Sequence, residues 1–149
     1  MVRLKTTQPR RHRRIDAALR FIKGCLARRQ PADAAMTAQQ RQGQWAEQLA
    51  KRYLQTQGLR FIEANYRCPV GEIDLIFKDQ AVLVFVEVRS RSTASFGSAF
   101  QSVDRRKQKK LQAAASHYIR CHAHAGLVRF DIVAIEADGQ LKWFKRAFA

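Results

Sequence analysis

Two acids, Asp74 and Glu87, with Glu72 two residues before the first and Arg89 and Arg91 following the second, have the makings of a site for a metal ion and a phosphate. Both sit in runs that alternate with the two-residue period of a β-strand. From Glu72 to Lys78, Ile73, Leu75 and Phe77 share one face, and Glu72, Asp74 and Ile76 share the other. From Ala81 to Arg91, Val82, Val84, Val86 and Val88 share one face, and Leu83, Phe85, Glu87, Arg89 and Arg91 the other. A tight turn at Asp79-Gln80 would pair the two runs as a hairpin, with Asp74 opposite roughly residue 85 and Glu87 opposite roughly residue 72. The acids are then cross-strand or diagonal neighbours, ~5–8 Å apart. Carboxylates this close repel each other, and a hard divalent ion relieves that repulsion. Oxygen ligands suit Mg²⁺ or Mn²⁺, an ion that activates water and stabilises charge developing on a phosphate. Neighbouring guanidiniums would grip that phosphate in a bidentate fork. The competing reading is a solvated sheet face laced with salt bridges.

Composition points the same way. The 149 residues suit one compact domain, and they carry 28 Lys+Arg against 12 Asp+Glu, a net charge of +16. Such a surplus repels itself unless a polyanion is near, so nucleic acid leads as partner and an anionic membrane surface follows. Arg105, Arg106, Lys107, Lys109 and Lys110 form a second basic cluster, expected to contact phosphates. No apolar run is long enough for a membrane span, and no secretory signal stands at the N-terminus. Cys25, Cys68 and Cys121 are scattered, without zinc-ribbon spacing, and fit a reducing, cytoplasmic setting. Cys121, His122 and His124 lack a partner pair at zinc-ligand spacing.

Several elements must position these residues. Residues 1–35 hold ten Lys/Arg against Asp16 and Asp33, half of the net charge, and read as a basic extension, a flexible arm or a short helix. The folded domain is expected over 36–149. Thr37 with Gln40 makes a capping box. Trp45, Ala46, Leu49, Ala50, Tyr53 and Leu54 then form the apolar stripe of a helix that Gly58 stops, with Trp45 and Tyr53 expected in the core. A short strand over Phe61–Tyr66 precedes the hairpin, and residues 92–101 read as a loop. Val103–His122 reads as a second helix, Leu127–Ile135 as a strand, and Asp138-Gly139 as a turn returning Leu141–Phe148 antiparallel. Asp131, isolated on an apolar strand, should pair with a neighbouring Arg or Lys. The order α-β-β-β-α-β-β argues for an α/β fold with a mixed central sheet flanked by helices.

The runs GEIDLI (71–76), VFVEVRSRS (84–92), VDRRKQKKL (103–111) and RFDIV (129–133), opened by GQWAEQLAKRYLQTQGLRFIEANYRC (43–68), resemble the YraN-like family. This is a group of small bacterial proteins related to Holliday-junction resolvases. The likeness covers about residues 41–135. It implies a restriction-endonuclease-like fold and a PD-(D/E)xK site acting on structured DNA with Mg²⁺ or Mn²⁺. Asp74 matches the metal-binding Asp and Glu87 the acid of the E-x-K motif, with the Val88 carbonyl also near the metal. Glu47 matches a metal-binding acid of the first helix, and Gln108 a polar helix residue near such sites. By analogy with resolvases, a homodimer is implied too. Arg89 stands where the family usually has Lys; it keeps the charge but cannot act as a base. Two other readings stand beside the nuclease: a nucleic-acid-binding module with a degenerate site, and a basic adaptor for an acidic protein.

Overall fold

The computed structural model describes residues 36–90 and 103–148. The expected basic extension over 1–35, the loop at 92–101 and Arg91 lie outside the described residues. The elements, in chain order, are α1 (Ala38–Thr56), β1 (Arg60–Cys68), β2 (Gly71–Asp79), β3 (Val82–Ser90), α2 (Arg105–Cys121), β4 (Val128–Ile135) and β5 (Leu141–Phe148). That is the expected order. The strands form one sheet in sequence order, β1-β2-β3-β4-β5. All neighbours are antiparallel except β3 and β4, which run parallel. A parallel pair needs a long crossover, and α2 supplies it.

Two apolar layers sandwich the sheet between the helices. On one face Ala50 and Leu54 of α1 pack with Leu75, Phe77, Val84, Val86 and Val133. On the other, Leu111, Ala114, Ala115 and Tyr118 of α2 pack with Ile76, Leu83 and Phe85. The valine-rich alternation of β3 therefore feeds one layer, and its Leu-Phe-Glu-Arg series faces α2. The capping box forms as expected: Gln40 N–H donates to Thr37 Oγ1 at 3.1 Å, and Thr37 N–H to Gln40 Oε1 at 2.8 Å. Gly58 ends the helix region at φ 87°.

Four details differ from expectation. Trp45 is 55% exposed, because the buried stripe of α1 narrows to Ala46, Ala50 and Leu54, and Trp45 stands at its edge. β1 is longer than Phe61–Tyr66, since its pairing with β2 runs to Cys68↔Gly71 past a bulge at Phe61/Glu63. The N-cap of α2 is Asp104, whose side chain accepts from Lys107 N–H at 2.8 Å, so Val103 is buried ahead of the helix. The hairpin turn is Gln80-Ala81, not Asp79-Gln80, and Gln80 carries the positive φ of 52°. Moving the turn by one residue moves the register by two: Leu75 pairs with Val86 and Asp79 with Val82. The two-residue shift preserves the alternation, so Leu75, Phe77, Val84 and Val86 share the α1 face as expected, but Ile73 departs from it and joins Ile76 in the layer under α2.

Candidate metal centre and basic face

The β2–β3 ladder ends at Leu75↔Val86, so Asp74 and Glu87 are the next residues past its last rung, and each carboxylate feels the other's charge. Glu87 faces α2. Val88 N–H donates to Asp74 Oδ2 at 2.8 Å, which orients that carboxylate from the backbone of β3. Glu87 is 1% exposed. Its Oε1 pairs with two cations, Lys107 Nζ from α2 at 3.1 Å and, without hydrogen-bond geometry, Arg89 Nε from its own strand at 3.2 Å. Its Oε2 is buried with no hydrogen-bond partner among the described residues. An orphaned carboxylate oxygen in a protein interior is costly and needs an explanation.

The electrostatics follow from burial. Loss of water pushes Glu87 up to about 7, and Asp74 adds to the rise, while Lys107 and Arg89 oppose it. Burial likewise raises Asp74, against the Val88 hydrogen bond and the charge of Lys107. Two adjacent carboxylates that both resist ionisation, one with a free oxygen, have the donor chemistry for a hard divalent cation.

Glu47 lies within electrostatic reach. Its pKa is raised first by burial and further by Asp74 and Glu72, and lowered by the hydrogen bond from Asn65. That bond, Asn65 Nδ2 to Glu47 Oε2 at 2.9 Å, directs one of its oxygens to β1. Among the described residues, no three acids, histidines or cysteines converge as a ready ligand cluster. The structure thus brings Asp74 and Glu87 together and leaves Glu47 beside them, tied to Asn65.

The basic cluster divides. Arg105, Arg106, Lys109 and Lys110 are exposed on α2. Lys107 turns inward to Glu87. Gln108 is half-buried, and its side-chain amide donates to Val103 O at 3.0 Å, bracing the chain's entry into the helix. The first turn of α2 has no acid and carries three cations, Arg105, Arg106 and Lys107. Cations there oppose the helix dipole, at about 0.3–1 kcal/mol each. A nearby polyanion would offset that cost.

Sequence reasoning missed the contact of Lys107 with Glu87, because only the packing of α2 on the sheet aims that ammonium inward. Asn65 was missed for a similar reason: its positive φ of 54° on β1 carries no sequence signal. Asp131 met its expected partner. Arg129 Nε donates to both of its oxygens at 3.1 Å, and Trp143 Nε1 and Arg146 N–H donate at 3.0 Å each. Fully buried and fully satisfied, it serves the junction of β4 and β5 and is not shared with the acid pair.

Fold and site together describe a small α/β protein with a buried glutamate beside a half-buried aspartate under a basic helix. The chain belongs to the uncharacterised protein family UPF0102, whose model matches residues 46–135 and which is the family the YraN-like motifs indicated. It is 48% identical over 108 residues to a UPF0102 protein of Methylococcus capsulatus, covering 70% of this chain and 88% of that one. It is 47% identical over 106 residues to one of Shewanella oneidensis, covering 71% of this chain and 97% of the relative. A UPF0102 protein of Aeromonas hydrophila is 47% identical over 131 residues, 85% of this chain and 100% of its own length. None of the described helices is long and apolar enough to cross a membrane.

Proposed function

We propose that this protein is a divalent-metal-dependent nuclease acting on structured DNA, with Asp74 and Glu87 as its metal-holding pair. The observation that carries the reading is the Glu87 carboxylate: buried, facing Asp74, with Oε2 unpartnered. Mg²⁺ or Mn²⁺ held there would polarise a phosphodiester and activate a water. The chain's own residues do the rest. Val88 N–H fixes the rotamer of Asp74. Lys107 and Arg89 hold Oε1, leaving Oε2 free. Arg89 also sits where an E-x-K site has its lysine, and it contributes charge without a transferable proton. Lys107 brings an ammonium to the same acid from a different element. Glu47 assists from α1, close enough to feel the charge of Asp74. Arg105, Arg106, Lys109 and Lys110 would lie along the phosphate backbone, with Arg91 and Gln108 assigned to the same nucleic-acid face by the family likeness.

The test pairs metal binding with cleavage. Mg²⁺ or Mn²⁺ should raise the melting temperature of the wild type, and the shift should vanish in Asp74→Asn. Branched DNA should be cut in the presence of the metal and left intact by Glu87→Gln. Arg89→Lys should raise the rate. Absence of both the shift and the cutting would discard the reading. Salt-sensitive binding with a metal shift but no cutting, in wild type and Arg89→Lys alike, would instead select a binding module with a degenerate site.

A further inference from the structure

Next to the acid pair, the turn between β1 and β2 and the first turns of α2 enclose a cleft of about 620 Å³. This is a volume that takes small ligands. Its walls differ in character. Pro69 and Val70 form an apolar wall at the tip of the β1–β2 turn, and Val70 is 49% exposed there. Arg67, Lys107 and Lys110 line the cleft against a single carboxylate, Glu72. The Arg67–Glu72 pair is loose, at 3.7 Å with both side chains more than half exposed, so it leaves the guanidinium available to a stronger anion. Gly71 keeps the turn close to α2: a Cβ there would come within 3.1 Å of Lys110 O. Lys107 belongs both to the cleft and to the acid pair, its ammonium 3.1 Å from Glu87 Oε1.

A surface that only tracks duplex phosphates needs cations and no apolar wall. A site for an unpaired nucleotide needs both, because the nucleotide has an anionic phosphate and an apolar base face. We infer that this cleft receives one unpaired nucleotide of the bound strand, adjacent to the phosphate at the acid pair. Arg67 and Lys110 hold its phosphate, and Pro69 and Val70 pack against its base or sugar. A base stacked within continuous duplex cannot reach the cleft, so the protein prefers single-stranded ends and branch points to blunt duplex. This inference rests on the nuclease reading for its neighbouring phosphate.

The experiment compares binding of the full chain to a duplex with a single-stranded overhang and to a blunt duplex of equal length, in chelator so that nothing is cut. Wild type should favour the overhang. Arg67→Ala with Lys110→Ala should lower overhang affinity about tenfold and reduce the salt slope by about one to two. Val70→Ser, at an exposed position that the fold tolerates, should lower the overhang preference several-fold with little change on blunt duplex. Arg52→Ala, on the exposed face of α1, controls for bulk charge. Equal affinity for both probes in wild type, or equal losses in Arg52→Ala and the double variant, would overturn the subsite. If in those cases the Mg²⁺-induced melting shift and its loss in Asp74→Asn persist, the acid-pair reading survives the subsite's failure. No nucleic-acid binding by the wild type would remove both.

Discussion

At the scale of single residues, Glu87 concentrates the conflicts in this molecule. It is buried, faces another carboxylate, and is held by two cations on one oxygen only. Its folded pKa of about 7 lies above its ordinary value of 4.5. Between those values the folded state binds more protons than the unfolded state, so stability falls as pH rises. The contribution is fully present below the ordinary value and lost as pH passes through about 7; Asp74 shifts in the same direction. Metal-free protein should therefore lose stability on the order of 2 kcal/mol between about pH 5 and about pH 8. Denaturant titrations in chelator would measure this. Glu87→Gln should flatten the profile, and saturating Mg²⁺ should flatten it in the wild type by competing with the proton. A wild-type profile that is flat without metal would contradict the assigned burial of this charge.

At the scale of elements, the sheet and α2 divide the labour. β2 and β3 present the acids just past the last rung of their ladder, and α2 brings Lys107 down onto Glu87 while displaying its other cations outward. The β4–β5 pair depends on a different buried acid. Asp131 accepts from Arg129, which also reaches Asp79 at the end of β2 at 2.7 Å, and from the indole of Trp143 and the backbone of Arg146. Arg146 sits at φ 52° in a region where the β4–β5 register shifts, and its N–H has left the ladder for the Asp131 carboxylate. Asp131→Ala leaves Arg129 with Asp79 as its remaining counter-charge and takes the acceptor from two donors, Trp143 Nε1–H and Arg146 N–H. It should cost about 3–5 kcal/mol. Thermal melts would show the loss, and Trp143 fluorescence should shift to the red as its indole is released. Metal binding at Asp74 and Glu87, judged by the Mg²⁺-dependent shift, should survive in whatever fraction stays folded.

At the scale of the whole molecule, charge dominates. A net +16 on 149 residues costs folding energy through self-repulsion and favours any polyanion nearby. Binding to DNA should release counterions, and the association constant should fall roughly 10³-fold between about 50 mM and about 200 mM salt. Fluorescence anisotropy over that range would read the slope. A slope near zero would point instead to an acidic protein partner recognised by shape. The charge is spread through the chain: half of it lies in residues 1–35 and the rest within residues 36–149, which hold the acid pair.

How much was legible in the sequence follows from which forces are local. Strand alternation placed Glu87 and Arg89 together on the α2 side of β3, because a two-residue period survives any even shift of register. The capping box of α1, the Asp138-Gly139 turn and the mixed α/β order were legible for the same reason: caps, turns and periodicity are written in neighbouring residues. The registration of β2 on β3 was not. Gln80-Ala81 carries no strong turn chemistry, and the turn is set there by the packing of both strands between two helices. Nor were the exposure of Trp45, the hold of Asn65 on Glu47 or the cleft under the β1–β2 turn. Lys107 shows the division most plainly. Its sequence neighbours mark it as one of several surface cations, and only the docking of α2 across the sheet turns its ammonium onto the buried Glu87. Types, faces and charge were determined along the chain. Which charges meet, and which oxygen is left without a partner, was decided by tertiary packing, because those contacts join residues far apart in sequence.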